Sequence, residues 1–268
     1  MSKLFILIIL LIIATAFPAF GNTSFDFTEY ESLLEKYVKT DVPIKGFTIT
    51  AIDYGSLYGE TKGSTSDYSV QLHKLSNFDP ATINGRSDII AFWINVYNIG
   101  AIKMILDHYP VDSIRSSKIH LFKNPWNKKV INVGGREYSL GEIEHDILLG
   151  ELKELMAHYG IVCASLSCPE ISPDVYTGGK LQEQLARQAR IFLSDPKKGL
   201  QIDRVKNIVH VSSIYKYDKT NFKRNKDIII PFILPNVENG EDREYLQNAQ
   251  YTLEFLDYNW ELNLYTDQ

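Results

Sequence analysis

The residue types in this chain that could do chemistry crowd into one run, His158-Tyr-Gly-Ile-Val-Cys-Ala-Ser-Leu-Ser-Cys-Pro169. Its two cysteines, Cys163 and Cys168, are the only two in 268 residues. One chemistry open to this set is nucleophilic catalysis. Cys163 or Ser165 would attack an electrophile with His158 as base, provided ring and nucleophile come within hydrogen-bond reach. The spacing resists that arrangement. If residues 159–164 form a buried strand, positions five apart point to opposite faces, and His158 meets Cys163 only where the strand ends or bends. The other chemistry is oxidation: a Cys163–Cys168 disulfide would close a short loop and contribute about 2 kcal/mol in the chain-entropy model.

Further candidates lie elsewhere. Asn95 and Asn98 sit three apart inside an apolar stretch, so both amides share one face and must find partners across the core. Asn95 is a candidate orienting or oxyanion group and Asn98 a candidate binding group, although amides there more commonly tie loops to a helix. Glu142 and His145 form Glu-x-x-His, which can put two metal ligands on one helix face. A bound metal needs at least a third ligand, so no metal and no cofactor is expected. Glu144 is flanked by Ile143 and Ile147 and needs a buried partner. Trp93, Tyr97, Trp126, Tyr215, Tyr217 and Trp260 could line a groove for a sugar or peptide chain, though Trp93 and Tyr97, at helical spacing, suit a core equally well.

The elements that must position these groups are organised around residues 87–108. This stretch predicts one long helix, with Ser87 as N-cap, Asp88 at the positive end of the dipole and Pro110 just beyond its end. Its apolar residues surround the axis, which marks a helix buried on nearly all sides. Before it, Thr28-Glu-Tyr-Glu31 reads as a capping box opening a first helix, and residues 46–54 as a strand. Tyr68, Leu72 and Leu75 mark a second helix. After it, residues 130–133 and 136–138 flank Gly134-Gly135 as a hairpin. Ser139-Leu-Gly-Glu142 is a second capping box whose helix stops at Gly150. Residues 180–193 form an amphipathic helix, and 200–203 with 208–211 a further hairpin. Residues 228–234 contain Pro231 and suit helix or strand, and 252–256 read as a last strand. Helices and short hairpins alternate without βαβ regularity, which favours α+β.

The N-terminus carries a targeting signal. Met1-Ser-Lys3 is positive, residues 4–16 are almost wholly apolar, and Ala19-Phe20-Gly21 offers small residues where a signal peptidase reads. Cleavage after Gly21 would leave an exported, periplasmic or secreted, domain over residues 22–268. The apolar run is short for a membrane span, and the helix around Asn95 carries Lys103 and two Asn, so no span is expected in the mature protein. A net charge of −5 and no basic run argue against nucleic acid as a partner. In an oxidising compartment the cysteine pair reads more readily as a disulfide.

Several stretches together resemble a known family. Ala91-Phe-Trp-Ile-Asn-Val-Tyr-Asn98, Ser139-Leu-Gly-Glu-Ile-Glu-His145, the His158–Pro169 run and Tyr258-Asn-Trp-Glu-Leu-Asn263 are similar to successive signatures of the domain of unknown function 547 family. Asp53-Tyr54 and Ser213-Ile-Tyr-Lys-Tyr217 fit it as well, so the resemblance spans about residues 46–263. One position departs: the family usually has an acidic residue before Phe222, where this chain has Asn221. The resemblance implies a kind of domain and leaves its activity open. The order of a buried helix and a later His-bearing strand is also that of papain-like and transglutaminase-like folds. Those place the nucleophile near the helix N-terminus, where this chain has Ala91-Phe92-Trp93.

The expectation is therefore one α+β domain, with the central helix at about 88–108 packed on a small, mainly antiparallel sheet, hairpins and several amphipathic helices. Two functions fit it. One is a non-catalytic binding or scaffold domain for an envelope or extracellular ligand, with a polar pocket around the central helix and His158. The other is a Cys/His-dependent hydrolase or transferase acting on an envelope or extracellular polymer.

Overall fold

The computed structural model describes residues 24–119 and 124–266, so the expected signal segment lies outside the described residues. The fold is α+β and is built around α4 (Arg86–Leu106), in which every residue from 90 to 102 is buried. Apolar side chains on all faces of this helix leave it no stable place but the interior. α4 is long and apolar enough to cross a membrane, yet 89% of its most hydropathic window is buried inside the protein. Its start differs from expectation. Gly85, at φ +102°, is the N-cap, and Asp88 folds back so closely that a Cβ on Gly85 would meet its Oδ2 at 2.9 Å. Ser87 therefore lies inside the first turn.

Around α4 pack α1 (Thr28–Tyr37), α2 (Tyr54–Glu60) and α3 (Asp67–Ser76). The expected Thr28 cap is supplied by Asp26, whose carboxylate accepts from the Thr28 amide and hydroxyl. Among the described residues, three small sheets stand where a single one was expected. β1 (Val38–Ile44) and β2 (Phe47–Ile52) are antiparallel, as are β3 (Lys129–Val133) and β4 (Arg136–Ser139). Gly134 and Gly135, both at positive φ, turn the second hairpin. β5 (Leu200–Asp203) and β6 (Ile208–Val211) form the third hairpin, to which β7 (Thr252–Phe255) adds in parallel.

The capping box at Ser139 is present: the Ser139 amide donates to Glu142 at 2.7 Å and the Glu142 amide to Ser139 Oγ at 3.2 Å. The helix it opens, Glu142–Glu151, is a π-helix. Gly150 lies five residues after His145, and a Cβ there would stand 2.7 Å from the His145 carbonyl, so the wide turn closes over a glycine. Beyond it come α5 (Ala157–Gly160), α6 (Leu181–Ser194), α7 (Ile214–Tyr217), α8 (Lys226–Ile233), which contains Pro231, and α9 (Gly240–Asn248).

Two apolar cores result. The first surrounds α4, and the second gathers Phe192, Val209, Val211, Phe222 and Ile229 between α6, the third sheet and α8. α5 straddles the seam: Ala157 belongs to the first core and Tyr159 to the second. His158 sits between them.

Candidate functional site

The buried strand expected at residues 159–164 is instead the helical turn α5 followed by an extended segment, and its partner is a side chain. Asn98 on α4 donates to the Gly160 carbonyl at 2.9 Å and accepts from the Val162 amide at 3.0 Å. One primary amide thus satisfies a buried C=O and N–H that a neighbouring β-strand would otherwise take. Gly160 lets α5 close on α4 and α6, since a Cβ would stand 2.8 Å from Leu185 Cδ2 and 3.3 Å from Ile94 Cγ2. The face argument against His158 and Cys163 no longer applies, because the chain turns between them.

Both line one cavity of about 620 Å³, together with Glu144, His145, Cys168, Asp218, Tyr258, Trp260 and Arg115 among others. His158 Nε2 bonds Asp218 Oδ2 at 2.9 Å, both side chains being almost fully buried. A second link one residue along, Tyr159 Oη to Tyr215 Oη at 2.8 Å, fixes α5 against α7, whose C-cap is Asp218. Burial alone would push the Asp218 carboxyl up, but His158 and the Asn221 amide groups outweigh it and bring it down to about 2. Asn221 donates from its side chain to Asp218 Oδ2 at 2.7 Å and from its backbone to Oδ1 at 3.0 Å. The Asn221 amide is therefore a donor to the ionised partner of His158. With Asp218 ionised, the Nε2 proton is held and Nδ1 remains the nitrogen that can exchange one.

Cys163 and Cys168 lie side by side in the structure as two buried, unbonded cysteines. The Cys163 sulfur is directed at Ser165 Oγ (3.0 Å) and Tyr258 Oη (3.2 Å), while the Cys168 sulfur accepts from the Cys163 backbone amide at 2.9 Å. Burial raises the Cys163 thiol, yet hydrogen bonds from Cys168, Ser165 and Tyr258 outweigh it and hold it below the ordinary thiol value. Cys168 moves the other way, well above that value, through burial and its neighbour's charge. Tyr258 is likewise held neutral, by burial first and then by the two sulfurs. Of the two thiols, Cys163 is thus the more readily ionised, with Cys168 and Tyr258 beside it as neutral donors.

A left-handed turn at Ala164 (φ +56°) carries the chain from Cys163 into the loop holding Ser165 and Cys168. The C-terminal segment locks that loop. The Asn263 amide donates to Ala164 O (3.1 Å), the Leu166 amide to Glu261 O (2.9 Å) and the Asn259 amide to Ser167 Oγ (2.9 Å). Tyr258 is thereby set against the thiol.

Other sequence candidates take different places. Asn95 is fully buried outside the cavity, its amide spent on the Tyr176 backbone (Nδ2 to O, 2.8 Å; N to Oδ1, 3.0 Å), so it is a loop tether and no oxyanion group. Trp93, 5% exposed, packs on Phe92 and Tyr138 within the core and lines no groove. Glu142 is occupied by the capping box and by Lys129, away from the cavity, so Glu142 and His145 share no ligand role. No group of three or more metal-binding side chains is found among the described residues. His145 and the half-exposed Tyr217 do line the cavity. Glu144 takes its hydrogen bond from Tyr97 Oη at 3.2 Å. Sequence reasoning missed Asp218, Tyr258 and Arg115. Tyr258 stood inside a quoted motif without a role, and nothing local marks Asp218 as the partner of a histidine 60 residues away.

Fold and site together define an α+β protein in which a buried His–Asp pair and a hydrogen-bonded thiol pair open into one cavity. Residues 80–193 match the model of the family described as Protein of unknown function, DUF547. The match takes in α4, His158 and both thiols, while Asp218 and Tyr258 lie beyond its C-terminal end. Neither a curated protein nor a solved structure matches the chain.

Proposed function

We propose that this chain is a thiol-dependent acyl-transfer enzyme, a hydrolase or transferase, with Cys163 as nucleophile, His158 as general acid and base, and Asp218 orienting the ring. The single observation that carries this reading is the opening of the hydrogen-bonded Cys163 thiol and of the buried His158–Asp218 pair into the same cavity. The Cys163 thiolate adds to a substrate carbonyl carbon, and the oxygen that becomes negative receives a hydrogen bond from neutral Tyr258. Collapse breaks the bond to the leaving group, which takes a proton from His158, and a thioester remains. Water, or an acceptor hydroxyl or amine, then gives a proton to His158 as it displaces the sulfur, restoring the thiolate. The exported location expected from residues 1–21 belongs to this reading and makes the substrate an envelope or extracellular polymer.

A non-catalytic binding domain would share the cavity, but it leaves the hydrogen-bonded Cys163 thiol and the buried His158–Asp218 pair without a role. The two readings part at the thiol. Iodoacetamide treatment of the full chain near neutral pH, followed by peptide mapping, is expected to label Cys163 faster than Cys168 and faster than either thiol in the urea-unfolded chain. His158→Ala is expected to lower hydrolysis of an activated nitrophenyl ester by about 100-fold. Alkylation of Cys163 no faster in the folded than in the unfolded chain rejects the nucleophile.

A further inference from the structure

Acyl transfer at Cys163 leaves one buried nucleophile without a task. Cys168 lines the same cavity, is 7% exposed, and its sulfur accepts from the Cys163 backbone amide at 2.9 Å. Two successive turns bring it there. Ala164 is left-handed at φ +56°, and the Cys168 amide then donates to the Ser165 carbonyl at 3.2 Å, so the chain doubles back on Cys163. The C-terminal segment fixes this reversal, the Asn263 amide bonding Ala164 O and the Leu166 amide bonding Glu261 O. These are the only two cysteines in the chain, so no other intramolecular disulfide competes with this one.

We infer that Cys163 is a site of oxidation by hydrogen peroxide and that Cys168 resolves the product into a disulfide. The Cys163 sulfur attacks one oxygen of the peroxide, the O–O bond breaks, and hydroxide leaves with the proton that Cys163 released, as water. The sulfur, two electrons poorer, is left as a sulfenic acid, and the peroxide has gained those electrons. The Cys168 sulfur then attacks Cys163. The S–S bond forms, the S–O bond breaks, and the departing hydroxide takes the Cys168 proton as a second water. The surroundings suit each thiol to its part. Cys163, whose anion is favoured by the donors around it, reacts first, while Cys168, held up by burial, keeps the proton that the second step consumes. Oxidation blocks the sulfur that acyl transfer needs, and a dithiol reductant restores it by returning two electrons. The inference rests on the thiol reading only in requiring a nucleophilic Cys163, and it gives Cys168 a role that acyl transfer does not.

The test uses the full chain, reduced with dithiothreitol, desalted and exposed to hydrogen peroxide near neutral pH. Wild type is expected to lose two hydrogens in intact mass, to show Cys163 joined to Cys168 in non-reducing peptide maps, and to lose its iodoacetamide labelling. Dithiothreitol should then restore that labelling. In Cys168→Ala and Cys168→Ser, dimedone should trap Cys163 as a sulfenic acid. Without dimedone it should pass on to sulfinic acid, so that reductant recovers about tenfold less labelling than in wild type. The wild-type mass and map decide the linkage even where a variant does not fold. Wild type that passes to sulfinic acid as readily as the variants, or that forms disulfides only between chains, overturns the role of Cys168. A Cys163 that iodoacetamide labels but peroxide leaves unchanged overturns the inference and leaves the nucleophile standing. A Cys163 that neither reagent modifies overturns the thiol reading as well.

Discussion

Asp218 does its work as an anion, and three donors from two residues keep it one. His158 and both amide groups of Asn221 hold its carboxyl at about 2, against an ordinary value of 3.8, despite burial. Because the folded value lies below the unfolded one, the group stabilises the folded chain above pH 3.8, and that contribution drains away as the pH falls toward 2. Urea midpoints measured across this window should fall more steeply for wild type than for Asp218→Asn, and parallel curves would refute the assignment. The same geometry explains Asn221. An acidic side chain in that place would put a second carboxylate against Asp218 Oδ2, raise its proton affinity and weaken its hold on the His158 ring. Asn221→Asp should therefore move the acid transition of the chain to higher pH.

At the scale of elements, α5 is the piece on which the site depends, and it is held by α4 more than by its own four residues. Asn98 secures its C-terminal end and Gly160 permits the approach of Leu185 and Ile94. Gly160→Ala should cost about 1–3 kcal/mol by overpacking, read from urea denaturation, and should also slow Cys163 alkylation as His158 is pushed off the cavity wall. Stability lost without any change in thiol reactivity would mean that α5 does not transmit to the site. The same element shows what the sequence could and could not reveal. α4, the β3–β4 hairpin and α6 were legible, because periodicity and turn chemistry are local signals. The run through Ile161, Val162 and Cys163 has the apolar look of a strand, but its backbone is satisfied by an asparagine side chain more than 60 residues earlier in sequence. Propensity carries no trace of such a partner. His158 and the thiols were visible as residue types. Asp218, Tyr258 and Arg115 reach the cavity only through long-range packing.

Across the whole molecule, the two cores meet at more than α5. Glu170, two residues after Cys168, bonds buried Lys198 Nζ at 2.8 Å through Oε1, and its Oε2 accepts from the Thr50 amide and hydroxyl at 3.0 and 2.8 Å. Its backbone carbonyl accepts from Gln188 Nε2 at 2.7 Å. One residue thus joins β2, the thiol loop, α6 and the α6–β5 connection, its carboxylate doing so with a lysine that is 1% exposed. A buried pair of this kind adds little over an apolar replacement of both partners, but removing one partner strands a charge. Lys198→Met is expected to destabilise the chain by about 3–5 kcal/mol, by the usual penalty for an uncompensated buried charge. Lys198→Met combined with Glu170→Gln should recover a large part of that loss, since the amide oxygen still accepts from Thr50 and no charge is left behind. A double-mutant cycle in urea, followed by both tryptophan fluorescence and far-ultraviolet circular dichroism, tests this directly. Additive losses would show that the pair is not coupled. Separate transitions for the two probes in Lys198→Met, merging again in the double variant, would show that this ion pair is what makes the two cores unfold as one.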